Sequence, residues 1–241
     1  MVRYSTPPVS SSTTERSVLS AGGNVRSRTV SSDQTRSHPR LARVIARHRA
    51  RPSQRPLSHD ALAELGALER ELVELGGEII LDSGCGTGES SLDLARAHPD
   101  AVIVGIDKSA TRLARAPHAG ARNLRYVRAD LADVWRFARL RAWRVGAHFL
   151  LYPNPWPKQR HLRRRWHAHP ALDDLIALGG RLELRTNWAI YAEEFATALA
   201  LWCAVDVAVE TWRPASPASA FERKYLASGH TLYRVVIDLP R

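Results

Sequence analysis

The chain has 241 residues, 44% of them apolar, and carries a formal net charge of +11 at pH 7. This is enough for one α/β domain with an appendage, and no apolar run approaches the roughly 18 residues of a membrane span, so we expect no membrane association. The two cysteines, Cys85 and Cys203, form no disulfide framework, which predicts a reducing, cytoplasmic location.

Most of the positive charge lies near the start of the chain. Residues 1–56 contain eleven arginines but only two acids, Glu15 and Asp33, whereas basic and acidic residues nearly balance over residues 57–241. A basic segment of this kind can approach the phosphates of a nucleic acid. The charge distribution therefore predicts a basic arm over residues 1–56 and a folded domain over residues 57–241.

The arm itself divides into two parts. Residues 1–37 are rich in Ser, Thr and Arg and have few large apolar side chains, so we expect them to be disordered. Apolar side chains then recur with helical spacing and predict a short basic helix over residues 38–51. These side chains are Leu41, Val44 and Ile45.

Helical and strand patterns alternate after the arm. A first amphipathic helix is predicted over residues 60–75, where leucines mark one face and two glycines follow. The predicted strands cover residues 79–82, 102–107, 124–128, 147–152 and 181–186. The helices predicted between and after them cover residues 90–97, 110–116, 131–139, 161–178 with an interruption at Pro170, and 191–202. Two last strands, over residues 205–212 and 231–239, are separated by a loop and a short helix. This alternation predicts an α/β fold with a parallel sheet.

A glycine-rich loop follows the first predicted strand, which ends on Asp82. Its glycines stand at every second position and are Gly84, Gly86 and Gly88. Glycine is used where the backbone approaches a ligand or adopts a positive φ. The second strand also ends on an acid, Asp107, whose carboxylate can accept hydrogen bonds from two ribose hydroxyls. An ordinary tight turn would need only the glycines, so the two acids favour an adenosine-type cofactor at the carboxyl end of the sheet.

The glycine spacing indicates which cofactor this is. The dinucleotide fingerprint G-x-G-x-x-G would place its third glycine at Glu89, so it is absent. The observed acid-x-G-x-G-x-G pattern resembles that of the class I S-adenosylmethionine-dependent methyltransferases. S-adenosylmethionine has no pyrophosphate, and Asp82 suits an ammonium group. The resemblance implies a Rossmann-like, seven-stranded, mostly parallel sheet whose last strand is antiparallel.

A proline-rich turn follows the fourth predicted strand and reads Tyr-Pro-Asn-Pro-Trp-Pro-Lys over residues 152–158. Proline fixes φ and removes a donor, so this turn is stiff. Asn154 offers a donor and an acceptor to the edge of a nucleobase, and Trp156 offers a stacking face. The basic side chains that follow can neutralise phosphates. They are Lys158, Arg160, His161, Arg163, Arg164 and Arg165. A plain connector and a solvated helix start are the alternative interpretations.

Three segments of the chain resemble one family. The run over residues 153–165 resembles the Asp-Pro-Trp-Pro-Lys-Lys-Arg-His-x-Lys-Arg-Arg signature of the bacterial tRNA (guanine-N7)-methyltransferases, which methylate a guanine in the variable loop of tRNA. Residues 186–191 resemble the family's Thr-Asp segment. Residues 219–223 resemble its Thr-Lys-Phe-Glu-Arg segment. The resemblance covers about residues 78–239 and implies S-adenosylmethionine as cofactor, tRNA as partner and no metal ion.

The resemblance also implies roles for individual residues. Those that match the acids holding the cofactor are Asp82, Asp107 and Asp130. Asn154 takes the place of the family's acid in the base-binding turn and is the candidate catalytic residue. The remaining matches to substrate contacts are Lys158, Asn187, Ser219 and Glu222. The chain departs from the family at three of these positions, with Asn154 and Asn187 for Asp and Ser219 for Thr.

Methylation of guanine N7 requires the protein chiefly to align the reacting atoms. N7 has an in-plane lone pair and no proton, so its attack on a methyl sulfonium needs no general base. The product ring is cationic, so a nearby carboxylate would stabilise it. Asn154 lacks this negative charge, and Glu222 is the candidate to supply it. Two other interpretations stay open: a methyltransferase of this fold that acts on another RNA, DNA or a small molecule, and a non-catalytic RNA-binding paralogue.

Overall fold

Strands and helices alternate in the computed structural model, which describes residues 26–117 and 119–240. The strands are β1 (Glu78–Ser83), β2 (Ala101–Asp107), β3 (Leu124–Arg128), β4 (Val145–Leu151), β5 (Gly180–Thr186), β6 (Val209–Trp212) and β7 (Leu232–Leu239). The α-helices are α1 (Leu41–Ala50), α2 (His59–Leu75), α3 (Glu89–Ala97), α4 (Ala110–Leu113), α5 (Leu131–Leu140), α6 (Leu172–Ala177), α7 (Ala189–Cys203) and α8 (Ala220–Ala227). Two 3-10 helices, Gln159–Arg164 and Trp166–Ala168, lie between β4 and α6.

The strands form one sheet in the order β3-β2-β1-β4-β5-β7-β6. β1 pairs in parallel with β2 and β4, and β7 runs antiparallel to both of its neighbours. The predicted fold, a seven-stranded mostly parallel sheet with an antiparallel last strand, is therefore confirmed. Because β1, β2, β4 and β5 are parallel, the loops after them leave the same edge of the sheet.

The helix predicted over residues 161–178 is wrong. This stretch contains the two 3-10 helices and the short α6 instead. His169, which precedes Pro170, has φ −83° and ψ 144°, as expected because proline disfavours the α conformation of the residue before it. Arg165 is also extended, with φ −79° and ψ 137°. The chain is thus interrupted twice before α6 begins.

Residues 26–37, which we expected to be disordered, make specific hydrogen bonds with distant parts of the chain, while residues 1–25 lie outside the described part of the chain. Ser27 N–H donates to Ser228 Oγ at 2.8 Å, and Ser32 Oγ donates to the Pro157 carbonyl at 2.6 Å. The apolar face predicted for α1 is buried in the main core. Much of the described part of the predicted arm therefore packs on the folded domain, through hydrogen bonds of Ser27 and Ser32 and through the apolar face of α1.

A buried carboxylate on α7 connects this segment to the rest of the molecule. Glu194 Oε1 accepts hydrogen bonds from Gln34 Nε2 at 2.6 Å and from the backbone N–H of His38 at 2.7 Å. Glu194 Oε2 accepts from Arg165 Nη1 at 2.5 Å and from His167 Nε2 at 2.8 Å. Burial opposes the charge on Glu194, but these partners outweigh burial and lower its pKa to about 2.

We expect Glu194→Gln to lower the free energy of unfolding by about 3–5 kcal/mol, because the fully buried Arg165 loses its counter-charge. Glu193→Gln is the matched control, since Glu193 is an exposed neighbour on the same helix and should change stability by less than about 0.5 kcal/mol. Urea unfolding of the purified variants measures both values. Equal stability of the two variants would contradict the assigned role of Glu194.

The same carboxylate makes stability depend on pH in acid. The pKa of Glu194 is lowered from its ordinary value of 4.5 to about 2 in the folded protein. A lowered carboxyl pKa contributes stability above the unfolded-state value and loses that contribution as the pH falls toward the folded-state value. The stability difference between wild type and Glu194→Gln should therefore shrink between about pH 4.5 and pH 2, which urea unfolding at several pH values measures.

Candidate active site

The glycine loop after β1 leaves an open space at the carboxyl edge of the sheet. Gly84, Gly86 and Gly88 have φ values of 88°, 61° and 77°, which side chains rarely adopt. A Cβ at Gly84 or Gly86 would meet no atom within 4 Å among the described residues, whereas one at Gly88 would lie 2.6 Å from Tyr126 Oη. The backbone N–H of Gly84 donates to the Ile106 carbonyl at 2.8 Å, which holds the loop over the end of β2. This cradle fits a small cofactor that lies across β1 and β2.

Asp82, at the end of β1, bonds to the helix that follows the glycine loop. It is buried, and its Oδ2 accepts hydrogen bonds from Ser90 Oγ at 2.6 Å and Ser91 Oγ at 2.7 Å, both on α3. Burial raises the pKa of Asp82, and the two hydroxyls act in the opposite direction. The carboxylate therefore fixes the start of α3 against β1. Its direct contact with a cofactor stays a prediction.

Asp107 joins the glycine loop to the end of β2. Its Oδ2 accepts from Gly86 N–H at 3.1 Å, and its Oδ1 accepts from Ser109 N–H at 2.8 Å. Oδ1 also pairs with Arg112 Nη2 at 2.9 Å, and the Arg112 side chain is 44% exposed. Asp130, after β3, caps α5 by accepting from Ala132 N–H at 3.0 Å. The three predicted acids thus lie at the ends of three adjacent strands.

The proline-rich turn after β4 is held in an unusual backbone conformation. Tyr152 and Trp156 have φ values of 53° and 45°, which cost energy for residues with a side chain. Asn154 is exposed, and its Oδ1 accepts from Trp156 N–H at 3.2 Å. The Trp156 carbonyl accepts from Arg165 Nε at 3.2 Å. The turn is therefore fixed, and Asn154 keeps its amide N–H groups for a partner outside.

The structure divides the predicted phosphate-binding residues. The exposed ones are Lys158, Arg160, Arg163 and Arg164. The rings of His161 and Trp156 are nearly perpendicular, with 5.5 Å between their centroids, and the Arg164 guanidinium lies 4.8 Å from the Trp156 centroid. Arg165 is fully buried on Glu194 and lies over Trp188, so we leave it out of the phosphate-binding set. Because Arg165 stands in a run of arginines, the sequence did not indicate this structural role.

A shallow cavity of about 460 Å³ lies beside these exposed side chains. Its walls come from two distant parts of the sequence, residues 31–33 and residues 157–160. The first of these parts belongs to the segment that was expected to be disordered. The described segment and the basic residues therefore form one surface.

Ser219 and Glu222 have structural partners that the sequence analysis missed. Ser219 Oγ accepts from Glu222 N–H at 3.2 Å and caps α8, and Glu222 Oε2 accepts from Ala218 N–H at 2.6 Å. The spacing Ser-x-x-Glu is a capping-box signature and would have predicted the cap that Ser219 forms. Glu222 Oε1 accepts from Tyr152 Oη at 2.6 Å and from Arg185 Nη1 at 3.2 Å. Glu222 is buried, so it holds the first residue of the proline-rich turn.

Asn187 follows β5 and contacts a histidine that no sequence motif marked. Its Nδ2 lies 3.0 Å from His230 Nδ1, and His230 Nε2 lies 3.0 Å from the Ser27 carbonyl. The His230 ring stacks on Tyr225, with 5.2 Å between centroids, and Tyr225 contacts the Tyr152 ring at 5.4 Å. These residues connect the turns after β4 and β5. Only the folded chain brings them together.

Among residues 26–117 and 119–240, no group of three or more His, Cys, Asp and Glu side chains is placed to hold a metal ion. No helix in that part of the chain has the length and apolar character needed to cross a membrane.

Comparison with known families identifies the chain. The model of a family described as "Putative methyltransferase" matches residues 77–235. The tRNA (guanine-N(7)-)-methyltransferase of Halorhodospira halophila is 31% identical over 191 residues, which cover 71% of this chain and 81% of that protein. The chain belongs to the tRNA (guanine-N7)-methyltransferase family. The enzymes of that name from Treponema pallidum and Leifsonia xyli are each 32% identical, and the alignments cover 65% and 72% of their lengths.

Solved structures agree with the fold. The 16S rRNA methyltransferase KamB superimposes with a TM-score of 0.54 at 18% identity, over 78% of this chain and 96% of that chain. An antibiotic-related methyltransferase gives a TM-score of 0.50 at 17% identity, over 78% and 97% of the two chains. The predicted class, an S-adenosylmethionine-dependent methyltransferase, is confirmed by membership of the tRNA (guanine-N7)-methyltransferase family. The roles of individual site residues stay predictions.

We expect Asp107→Ala to weaken binding of S-adenosylmethionine by about 2–4 kcal/mol, because two charge-assisted hydrogen bonds to ribose hydroxyls would be lost. Arg112→Ala is the matched control, since it removes a partner that shares Oδ1 of Asp107 and should leave affinity equal or higher. Isothermal titration calorimetry measures both. Unchanged affinity of Asp107→Ala would exclude the ribose assignment.

Proposed function

We propose that this chain transfers the methyl group of S-adenosylmethionine to N7 of a guanine in the variable loop of tRNA. The observation that carries the proposal is the pairing of β1 with β4, in which Asp82 lies opposite Phe149. The glycine loop follows β1 and the Asn154–Trp156 turn follows β4. A methyl donor in the loop and a base on the turn would therefore meet at one edge of the sheet. Relatives named tRNA (guanine-N(7)-)-methyltransferase support the same reaction.

The protein's main task in this reaction is alignment. Bound S-adenosylmethionine supplies a methyl group on a sulfonium, and guanine N7 needs no base to attack it. Trp156 offers a stacking face, and the amide N–H groups of Asn154 suit an acceptor such as guanine O6. Glu222 is occupied by Tyr152, Arg185 and Trp212, which favours a role in holding the turn over the predicted stabilisation of the cationic product.

The RNA is held by charge on the same face. Exposed arginines and a lysine follow the base-binding turn directly, on the first 3-10 helix and at its start. Counter-charges at this place suit the phosphates that flank a target nucleotide. Cys85 and Cys203 are free thiols, which supports the cytoplasm as the place of this reaction.

Incubation of the purified protein with S-adenosylmethionine and unmodified tRNA tests the proposal. Mass spectrometry of the digested nucleosides should detect 7-methylguanosine, and mapping should place it in the variable loop. Methylation of another nucleoside or of a small molecule, without 7-methylguanosine, would contradict the proposed substrate. RNA binding with no methyl transfer to any substrate would favour the non-catalytic paralogue.

We expect Asn154→Asp to keep kcat at least at the wild-type value. The new carboxylate can still accept from Trp156 N–H, and it adds a negative charge beside a ring that becomes cationic, which acts on kcat. It no longer offers a donor to guanine O6, so KM should rise. Asn154→Ala should lower kcat/KM roughly tenfold, because the turn loses its hydrogen bond and the base loses a donor. Steady-state kinetics on unmodified tRNA measures both. A lower kcat for Asn154→Asp than for Asn154→Ala would show that a negative charge at this position opposes the reaction.

A further inference from the structure

The orientation of the Asn187 amide is decided by a group outside its own element. His230 stands between Asn187 and the Ser27 carbonyl, with one ring nitrogen 3.0 Å from each. A carbonyl oxygen can only accept a hydrogen bond, so the ring nitrogen that faces it, Nε2, carries the proton. In a neutral imidazole the other nitrogen, Nδ1, then only accepts. Asn187 must therefore face His230 with its Nδ2 and direct its Oδ1 elsewhere.

Ser27, His230 and Asn187 form a hydrogen-bonded series, the relay, and its members are themselves held in place. Ser27 N–H donates to Ser228 Oγ at 2.8 Å, which fixes the backbone that presents the carbonyl. The His230 ring lies nearly parallel to the Tyr225 ring, at 18°. Tyr225 in turn contacts Tyr152, the first residue of the base-binding turn. The relay is thus built beside the place where we put the target base.

We propose that His230 is a positioning residue for base selection, and that it holds the Asn187 amide so that Oδ1 is a fixed acceptor for the N1–H or N2–H₂ groups of guanine. This inference rests on the function proposed above. The Watson–Crick edge of guanine offers donors at N1 and N2, whereas adenine offers an acceptor at N1. A fixed acceptor at residue 187 therefore favours guanine. The Ser27 carbonyl, and with it the N-terminal segment, takes part in this choice.

An asparagine needs this relay more than an aspartate would. Both oxygens of a carboxylate accept, so its side chain can read guanine in either orientation. An amide accepts from guanine N1–H or N2–H₂ only when its oxygen faces them. When its nitrogen faces them, two donors oppose each other. The asparagine at position 187 is therefore matched to the neutral tautomer that Ser27 imposes on His230.

The test uses tRNAs that carry guanosine, inosine or 2-aminopurine at the methylated position. Inosine lacks the 2-amino group, and 2-aminopurine lacks N1–H and O6. We expect wild type to lose about 3- to 10-fold in kcat/KM on at least one analogue, a loss carried mainly by KM. His230→Phe keeps a ring against Tyr225 and removes both ring nitrogens. With the same analogue, kcat/KM of this variant should fall less than about 2-fold relative to its value with guanosine.

Two further measurements distinguish a role of His230 in positioning Asn187 from a general contribution of His230 to the structure. In an Asn187→Asp background, His230→Phe should leave the guanosine-to-analogue ratio unchanged, because either carboxylate oxygen accepts. Independently of any variant, the ¹⁵N NMR shifts of His230 in the full chain should show the proton on Nε2. A proton on Nδ1, or wild-type ratios in a folded His230→Phe variant, would overturn the inference. Wild type that yields no 7-methylguanosine at all would instead overturn the proposed function.

Discussion

The carboxylate of Glu194 is fully buried, and a buried charge is tolerated only when ionic and hydrogen-bonding partners surround it. Its donors are Gln34, His38, Arg165 and His167, which come from two separate parts of the chain. This requirement ties Gln34 and His38 of the N-terminal segment, and Arg165 and His167 of the stretch after β4, to helix α7. Because Arg165 also donates to the Trp156 carbonyl, the proline-rich turn depends on the same charge.

A second buried carboxylate acts at the other end of that turn. Glu222 accepts from Tyr152 Oη, while the Arg165 side chain held by Glu194 bonds to Trp156. Tyr152 and Trp156 are the two residues of the turn with positive φ, a conformation that costs about 1–2 kcal/mol each. Hydrogen bonds to charged groups contribute about 1.5–3 kcal/mol each, which is enough to offset this strain. The turn is therefore rigid because two distant charges fix its ends.

The sequence allowed most of the sheet and the glycine loop to be predicted, because those signals are local. Hydrophobic strands, alternating glycines and acids at strand ends lie within a few residues of each other. The errors at Arg165 and Gln34 have a common cause in long-range contacts. Arg165 looked like its exposed neighbours because its partner, Glu194, lies 29 residues away. Gln34 looked like part of a disordered tail because its partner lies 160 residues away. Only the capping box of Ser219 and Glu222 had a local signal that was overlooked.

The two asparagines that replace the family's acids need not indicate a different base. Each has one end of its amide bound to the protein: Asn154 Oδ1 accepts from Trp156 N–H, and Asn187 Nδ2 donates to His230. The free ends are therefore a donor at Asn154 and an acceptor at Asn187. Guanine presents an acceptor at O6 beside donors at N1 and N2, whereas adenine presents a donor at N6 beside an acceptor at N1. The polarity that the protein imposes on its two amides matches guanine and opposes adenine. If the target base contacts both amides as proposed, a site without either carboxylate presents a hydrogen-bonding pattern complementary to guanine.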